Sequence, residues 1–92
     1  MKLQVSFRYA GRDWTFVFNP STHRDKATDH DTVNEYYVER DGYTFCVNIP
    51  KEDGRMVLTQ GAFIDWVREP GEDDGTELYI DTFHAELKVL TK

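Results

Sequence analysis

Apolar and polar positions alternate along most of this chain. Leu3, Val5, Phe7 and Tyr9 interleave with Lys2, Gln4, Ser6 and Arg8, and Trp14, Phe16 and Phe18 interleave with Asp13, Thr15 and Val17. A period of two marks strands with one buried face. Between these runs, Gly11-Arg12 suits a two-residue type II′ turn, which favours glycine first. That register pairs Tyr9 with Trp14, Phe7 with Phe16 and Val5 with Phe18. A second hairpin is stronger still. Asp41-Gly42 separates Glu35–Arg40 from Tyr43–Ile49, and Asp-Gly is the preferred filling of a type I′ turn. It predicts the pairs Arg40–Tyr43, Glu39–Thr44, Val38–Phe45, Tyr37–Cys46 and Tyr36–Val47. One face then carries Tyr36, Val38, Phe45, Val47 and Ile49; the other carries Tyr37, Glu39, Thr44, Cys46 and Asn48.

Residues 20–33 are polar and without a period, and read as a long loop. Lys51-Glu52-Asp53-Gly54 reads as a turn. Over 59–69, Ala62, Phe63, Trp66 and Val67 fall at helical spacing, with Thr59 as N-cap and Pro70-Gly71 as the stop. This segment predicts one helix packed on the sheet. After an acidic loop, Leu78-Tyr79-Ile80 begins a last strand, and Phe83, Ala85, Leu87 and Val89 continue it. The phase shifts near Asp81-Thr82, as at a bulge. The expected fold is therefore α+β: a single domain over 1–92, with an antiparallel sheet of about five strands in ββββαβ order and one helix on one face.

Composition narrows the function classes. The 92 residues are 14% aromatic and 30% charged, a folded domain rather than a disordered one. The single cysteine, Cys46, excludes an internal disulfide. The first residues lack the apolar core of a signal peptide and no run suits a membrane span, so a cytoplasmic protein is expected. Net charge is −6, divided as +3 over residues 1–26 and −9 over 27–92. An acidic surface repels nucleic acid directly and attracts basic partners.

No catalytic motif accompanies this pattern. His23, Asp25, Asp29, His30 and Asp31 are suitable ligand types for zinc, manganese or magnesium, but their spacing matches no metal motif, and no metal or other cofactor is expected. Glu72, Asp73, Asp74 and Glu77 crowd a glycine-flanked loop and lack the apolar pocket that raises a catalytic carboxyl's pKa. Glycines are scattered, without a phosphate cradle or a nucleophile elbow.

The carboxylates themselves are the more informative set. Glu35, Glu39, Asp41, Asp65, Glu69, Glu72, Asp73, Asp74 and Glu77, with Tyr37, are the interface candidates. Such an array can present negative charge where a basic, nucleic-acid-handling partner expects phosphates. In size and acidity the chain resembles small phage proteins that block host nucleic-acid enzymes or defence complexes, a likeness that no motif carries. The expected function is a small acidic non-enzymatic interaction or inhibitor module. The alternatives are a structural subunit or homodimer using Tyr37, Tyr79 or Trp66, and a small metal-dependent hydrolase using His23, His30 and their neighbouring aspartates.

Overall fold

The computed structural model describes residues 1–23, 26–29, 32–71 and 78–91, and these form an all-β fold. The strands are β1 (Lys2–Tyr9), β2 (Arg12–Phe18), β3 (Lys26–Asp29), β4 (Val33–Arg40), β5 (Tyr43–Glu52), β6 (Arg55–Met56), β7 (Ala62–Arg68) and β8 (Leu78–Thr91). They build one antiparallel sheet in the order β2-β1-β8-β7-β5-β4-β3, with β6 folded onto β5. The sheet curls into a half-barrel around its inner face.

The Asp-Gly hairpin has the expected register, from Arg40 opposite Tyr43 to Tyr36 opposite Val47. Asp41 and Gly42 both hold positive φ, 54° and 80°, as a type I′ turn requires. The first hairpin differs from expectation. Its turn residues are Ala10 and Gly11, with φ of 53° and 74°, so Tyr9 pairs with Arg12, Phe7 with Trp14, Val5 with Phe16 and Leu3 with Phe18. The offset from the expected register is two residues, and a two-residue shift leaves every side chain on the same face, so alternation alone cannot detect it.

The expected helix over 59–69 is absent, which corrects the α+β assignment and the ββββαβ order. Residues 62–68 are strand β7, hydrogen-bonded to β5 on one side and β8 on the other. The cause is a bulge. Cys46 pairs with Trp66 while the next residue, Val47, pairs with Ile64, leaving Asp65 as the extra residue of β7. The bulge shifts the inward phase from Ala62 and Ile64 to Val67, and that broken alternation imitates a helical stripe. Gly61 also sits at φ +80°, outside helical geometry, with the His84 Nε2 occupying the position a Cβ would take. The polar stretch 20–33, expected as loop throughout, contributes β3. The phase shift expected near Asp81-Thr82 is present: the β7–β8 register jumps where β8 runs from Phe83 to Tyr79.

The core is aromatic. Phe45 on β5 stands at the centre, with ring centroids 4.9 Å from both Phe7 and Trp14, 5.5 Å from Tyr9 and 6.0 Å from Phe16 and Tyr43. These rings join the first hairpin to the second across the inside of the curl. Leu3, Val5, Val47, Ile49, Ile64 and Val67 fill the remainder and are fully buried. Among the described residues no helix is long and apolar enough to cross a membrane.

Removing the central ring should cost about 3–5 kcal/mol, the usual penalty for a large aromatic in a packed core. Urea unfolding of Phe45→Ala should therefore show a much lower midpoint. A loss under about 1 kcal/mol would mean that the aromatic cluster does not hold the curl.

Candidate functional site

The predicted interface residues within the described part of the chain divide between two fates. Glu35, Tyr37 and Glu39 project from the outer face of β4, because alternate residues of that strand (Tyr36 and Val38) are buried inward. The β5 partners on the same outer face are Asn48, Cys46 and Thr44, and beyond them β7 places Phe63, Trp66 and Arg68. The bulge adds Asp65 to this face. Four predicted residues from two distant segments, Glu35, Tyr37, Glu39 and Asp65, thus share one patch of sheet.

The patch is organised by hydrogen bonds. The Asn48 amide donates to Asp65 Oδ1 at 2.9 Å and to the Phe63 carbonyl at 3.2 Å. The Cys46 thiol donates to Glu35 Oε2 at 3.3 Å. Tyr37 and Trp66 rings lie 5.3 Å apart, and the Arg68 guanidinium covers the Trp66 ring at 5.6 Å. Trp66 is only 6% exposed, whereas Tyr37 is 37% exposed. Tyr37 is therefore the aromatic ring offered to solvent and Trp66 is its support. Sequence reasoning missed Asn48 and Arg68 as parts of this surface, and offered Trp66 only for self-association. Asn48 had a legible signal, since its outward phase is set by the Asp-Gly register.

Two other candidates, Asp41 and Glu69, are committed elsewhere. Asp41 Oδ2 takes a 2.8 Å ion pair from Arg12, which ties the two hairpin turns together. Glu69 Oε1 accepts the Tyr9 hydroxyl at 2.7 Å at the end of the half-barrel. Glu72, Asp73, Asp74 and Glu77 lie outside the described residues, as do Asp25, His30 and Asp31. Asp29 lies in β3. His23 Nε2 is 2.6 Å from the Tyr37 carbonyl and its ring packs 5.1 Å from Phe18. Among the described residues no three His, Cys, Asp or Glu side chains are grouped to hold a metal ion.

Cys46 lies in an environment that suppresses thiolate chemistry. Burial pushes its pKa well above the ordinary 9.0, and the hydrogen bond to Glu35 and the negative charges of Asp65 and Glu35 push it further. The thiol stays protonated and is a poor nucleophile. The sign of the linked stability change follows. Above pH 9 the unfolded chain releases the thiol proton while the folded chain keeps it, so stability falls as pH rises, by up to about 1.4 kcal/mol per pH unit from this group. Denaturant unfolding between pH 8 and 11 should show Cys46→Ala losing less stability with rising pH than the wild type (pH range set about the ordinary thiol value). Equal slopes would show that Cys46 is not held protonated.

Comparison with protein-family models, with curated proteins and with solved structures found no match.

Proposed function

We propose that this chain is a non-enzymatic interaction or inhibitor module that binds a basic protein through the outer face of β4, β5 and β7. One observation carries the reading: Glu35, Glu39 and Asp65 share that face with the exposed Tyr37 ring, on strands that a buried core holds rigid. Carboxylates fixed on a sheet present charge without the entropy cost of ordering a loop. Aromatic residues at the centre of such a patch supply contact area that charge alone does not. Arg68 lies over Trp66 at the margin of the patch and offsets part of its negative charge. The partner class that suits it is a basic protein, with nucleic-acid-handling proteins foremost because their binding surfaces are built for phosphates. The single thiol, held protonated, is compatible with the reducing cytoplasm to which the reading assigns the chain.

Self-association is the second reading, supported by the exposure of Tyr37. Trp66, buried beneath its neighbours, does not add to it.

The decisive variant is Glu39→Lys, because Glu39 is exposed and its reversal leaves the core untouched. Affinity capture from lysate should retain a basic protein on the wild type at low salt, lose it at high salt, and retain roughly tenfold less on Glu39→Lys. Equal capture by both chains, or capture indifferent to salt, would sink the reading. A solution mass well above 10.8 kDa, abolished by Tyr37→Ala, would favour self-association instead.

A further inference from the structure

The curled sheet does not close. The end strands of the path are β2 and β3, and β3 pairs β4 only over residues 34–36. Beyond it the rest of β4 faces β2 across a seam that no ladder spans among the described residues, where β2 pairs with β1 alone. Turn geometry fixes which backbone groups point into the seam. In a two-residue hairpin the residues flanking the turn form a hydrogen-bonded pair, and such pairs then alternate. Tyr9–Arg12, Phe7–Trp14, Val5–Phe16 and Leu3–Phe18 are therefore the bonded pairs of the first hairpin. Thr15 and Val17 turn their N–H and C=O groups away from β1, towards β4. The same rule on the Asp-Gly hairpin turns the groups of Tyr37 and Glu39 away from β5, on the edge that β3 pairs only as far as Tyr36 and that continues past it towards β2.

Two side-chain contacts agree with this phase. The Arg40 guanidinium donates to the Thr15 carbonyl at 2.8 Å, and His23 Nε2 meets the Tyr37 carbonyl at 2.6 Å. Both receiving carbonyls belong to residues that the turn rule directs into the seam. Side chains occupy positions that a neighbouring strand would otherwise fill. Between them runs a groove of about 330 Å³, whose buried side is Phe16, Phe18 and Val38 and whose rim carries Val17, Glu39, His23 and Arg40. Val17 is 51% exposed, a large apolar side chain beside an edge that no described strand pairs.

We propose that this seam binds one extended segment of a partner protein, alternating apolar and basic residues, by strand addition to β2. Space and topology select a single strand. The edge of a second folded copy would bring its own sheet with it, and β4 stands where that sheet's next strand would go. A lone segment has no such neighbour. Each pair in the path β2-β1-β8-β7-β5-β4 is antiparallel, so β2 and β4 run in opposite directions. The incoming segment runs antiparallel to β2, in the geometry with the stronger ladder. Its inward residues meet Phe16, Phe18 and Val38 and are apolar; its outward residues stand beside Glu39 and are basic. The basic preference rests on the reading of the acidic face, whereas the strand addition does not. Arg40 and His23 bridge the seam and give up their carbonyl contacts when the segment enters.

The test titrates a short peptide alternating lysine and valine into the full chain at low salt, read by amide hydrogen exchange and by affinity. Thr15 and Val17 amides should exchange about tenfold more slowly when the peptide is bound. The same peptide N-methylated at alternate residues should lose binding, because it cannot complete the ladder. Val17→Pro should also lose binding, since it removes an amide that points into the seam and spares the β1 ladder. Arg40→Ala should bind several-fold more tightly, because the competitor for the Thr15 carbonyl is gone. Failure of the lysine–valine peptide to bind, or binding undiminished by N-methylation, overturns the proposal whatever the fate of the proline variant. Equal binding of a glutamate–valine peptide leaves strand addition standing and refutes the charge reading of the outer face.

Discussion

The contact of Phe45 with the rings of the first hairpin holds this molecule in its curled form. Hydrogen bonds alone would make a long open sheet, because among the described residues no ladder joins β2 to β3 or β4. What brings the ends of the sheet towards each other is apolar burial: Phe7, Trp14 and Phe16 reach across the interior to Phe45 and Tyr43. Sheet twist supplies the curl and the aromatic cluster fixes its radius. The inner face is thereby consumed by packing, and chemistry is left to the outer face and to the seam.

The outer face shows how one irregularity can assemble a surface. A regular β7 would send Asp65 and Trp66 to opposite sides. The bulge at Asp65 lets both lie outward, where Asn48 holds the carboxylate and Tyr37 meets the indole. The neighbouring thiol is surrounded by negative charge and buried, which makes Cys46 a structural residue. Arg12–Asp41 belongs to a different category: both side chains are about half exposed, so the pair adds at most about 1 kcal/mol and serves mainly to align two turns.

Much of this was legible in the residues, and the failures have local causes. Asp41-Gly42 announces its turn because both residues tolerate positive φ. From that turn the outward set Tyr37, Glu39 and Cys46 follows by counting. The first hairpin was harder, because Ala10 takes a left-handed conformation that costs an L-residue about 1–2 kcal/mol, and because a two-residue slip preserves the buried face. Over 59–69 a bulged strand and a short amphipathic helix leave similar apolar traces, so spacing alone points to the helix. Phe63, Ile64, Trp66 and Val67 are β-branched or aromatic, which favours strand and is the signal in these residues that agrees with the structure. Of the candidate site, Glu35, Tyr37 and Glu39 were readable from alternation. The use of Asp41 by Arg12 and of Glu69 by Tyr9 was not, since those contacts join residues far apart in sequence.

The position of β8 has a consequence for how the chain folds. It lies between β1 and β7, so the first hairpin reaches the rest of the sheet only through the last strand: Leu3 pairs with Val89 and Val5 with Leu87. Closing so long a loop is entropically expensive before its contacts form. The two hairpins can assemble early and locally, but neither the central cluster nor the seam exists until β8 docks. Topology of this kind belongs to the slow end of small-domain folding, on the order of milliseconds to seconds, and during that interval the edges of β1 and β7 stand unpaired together.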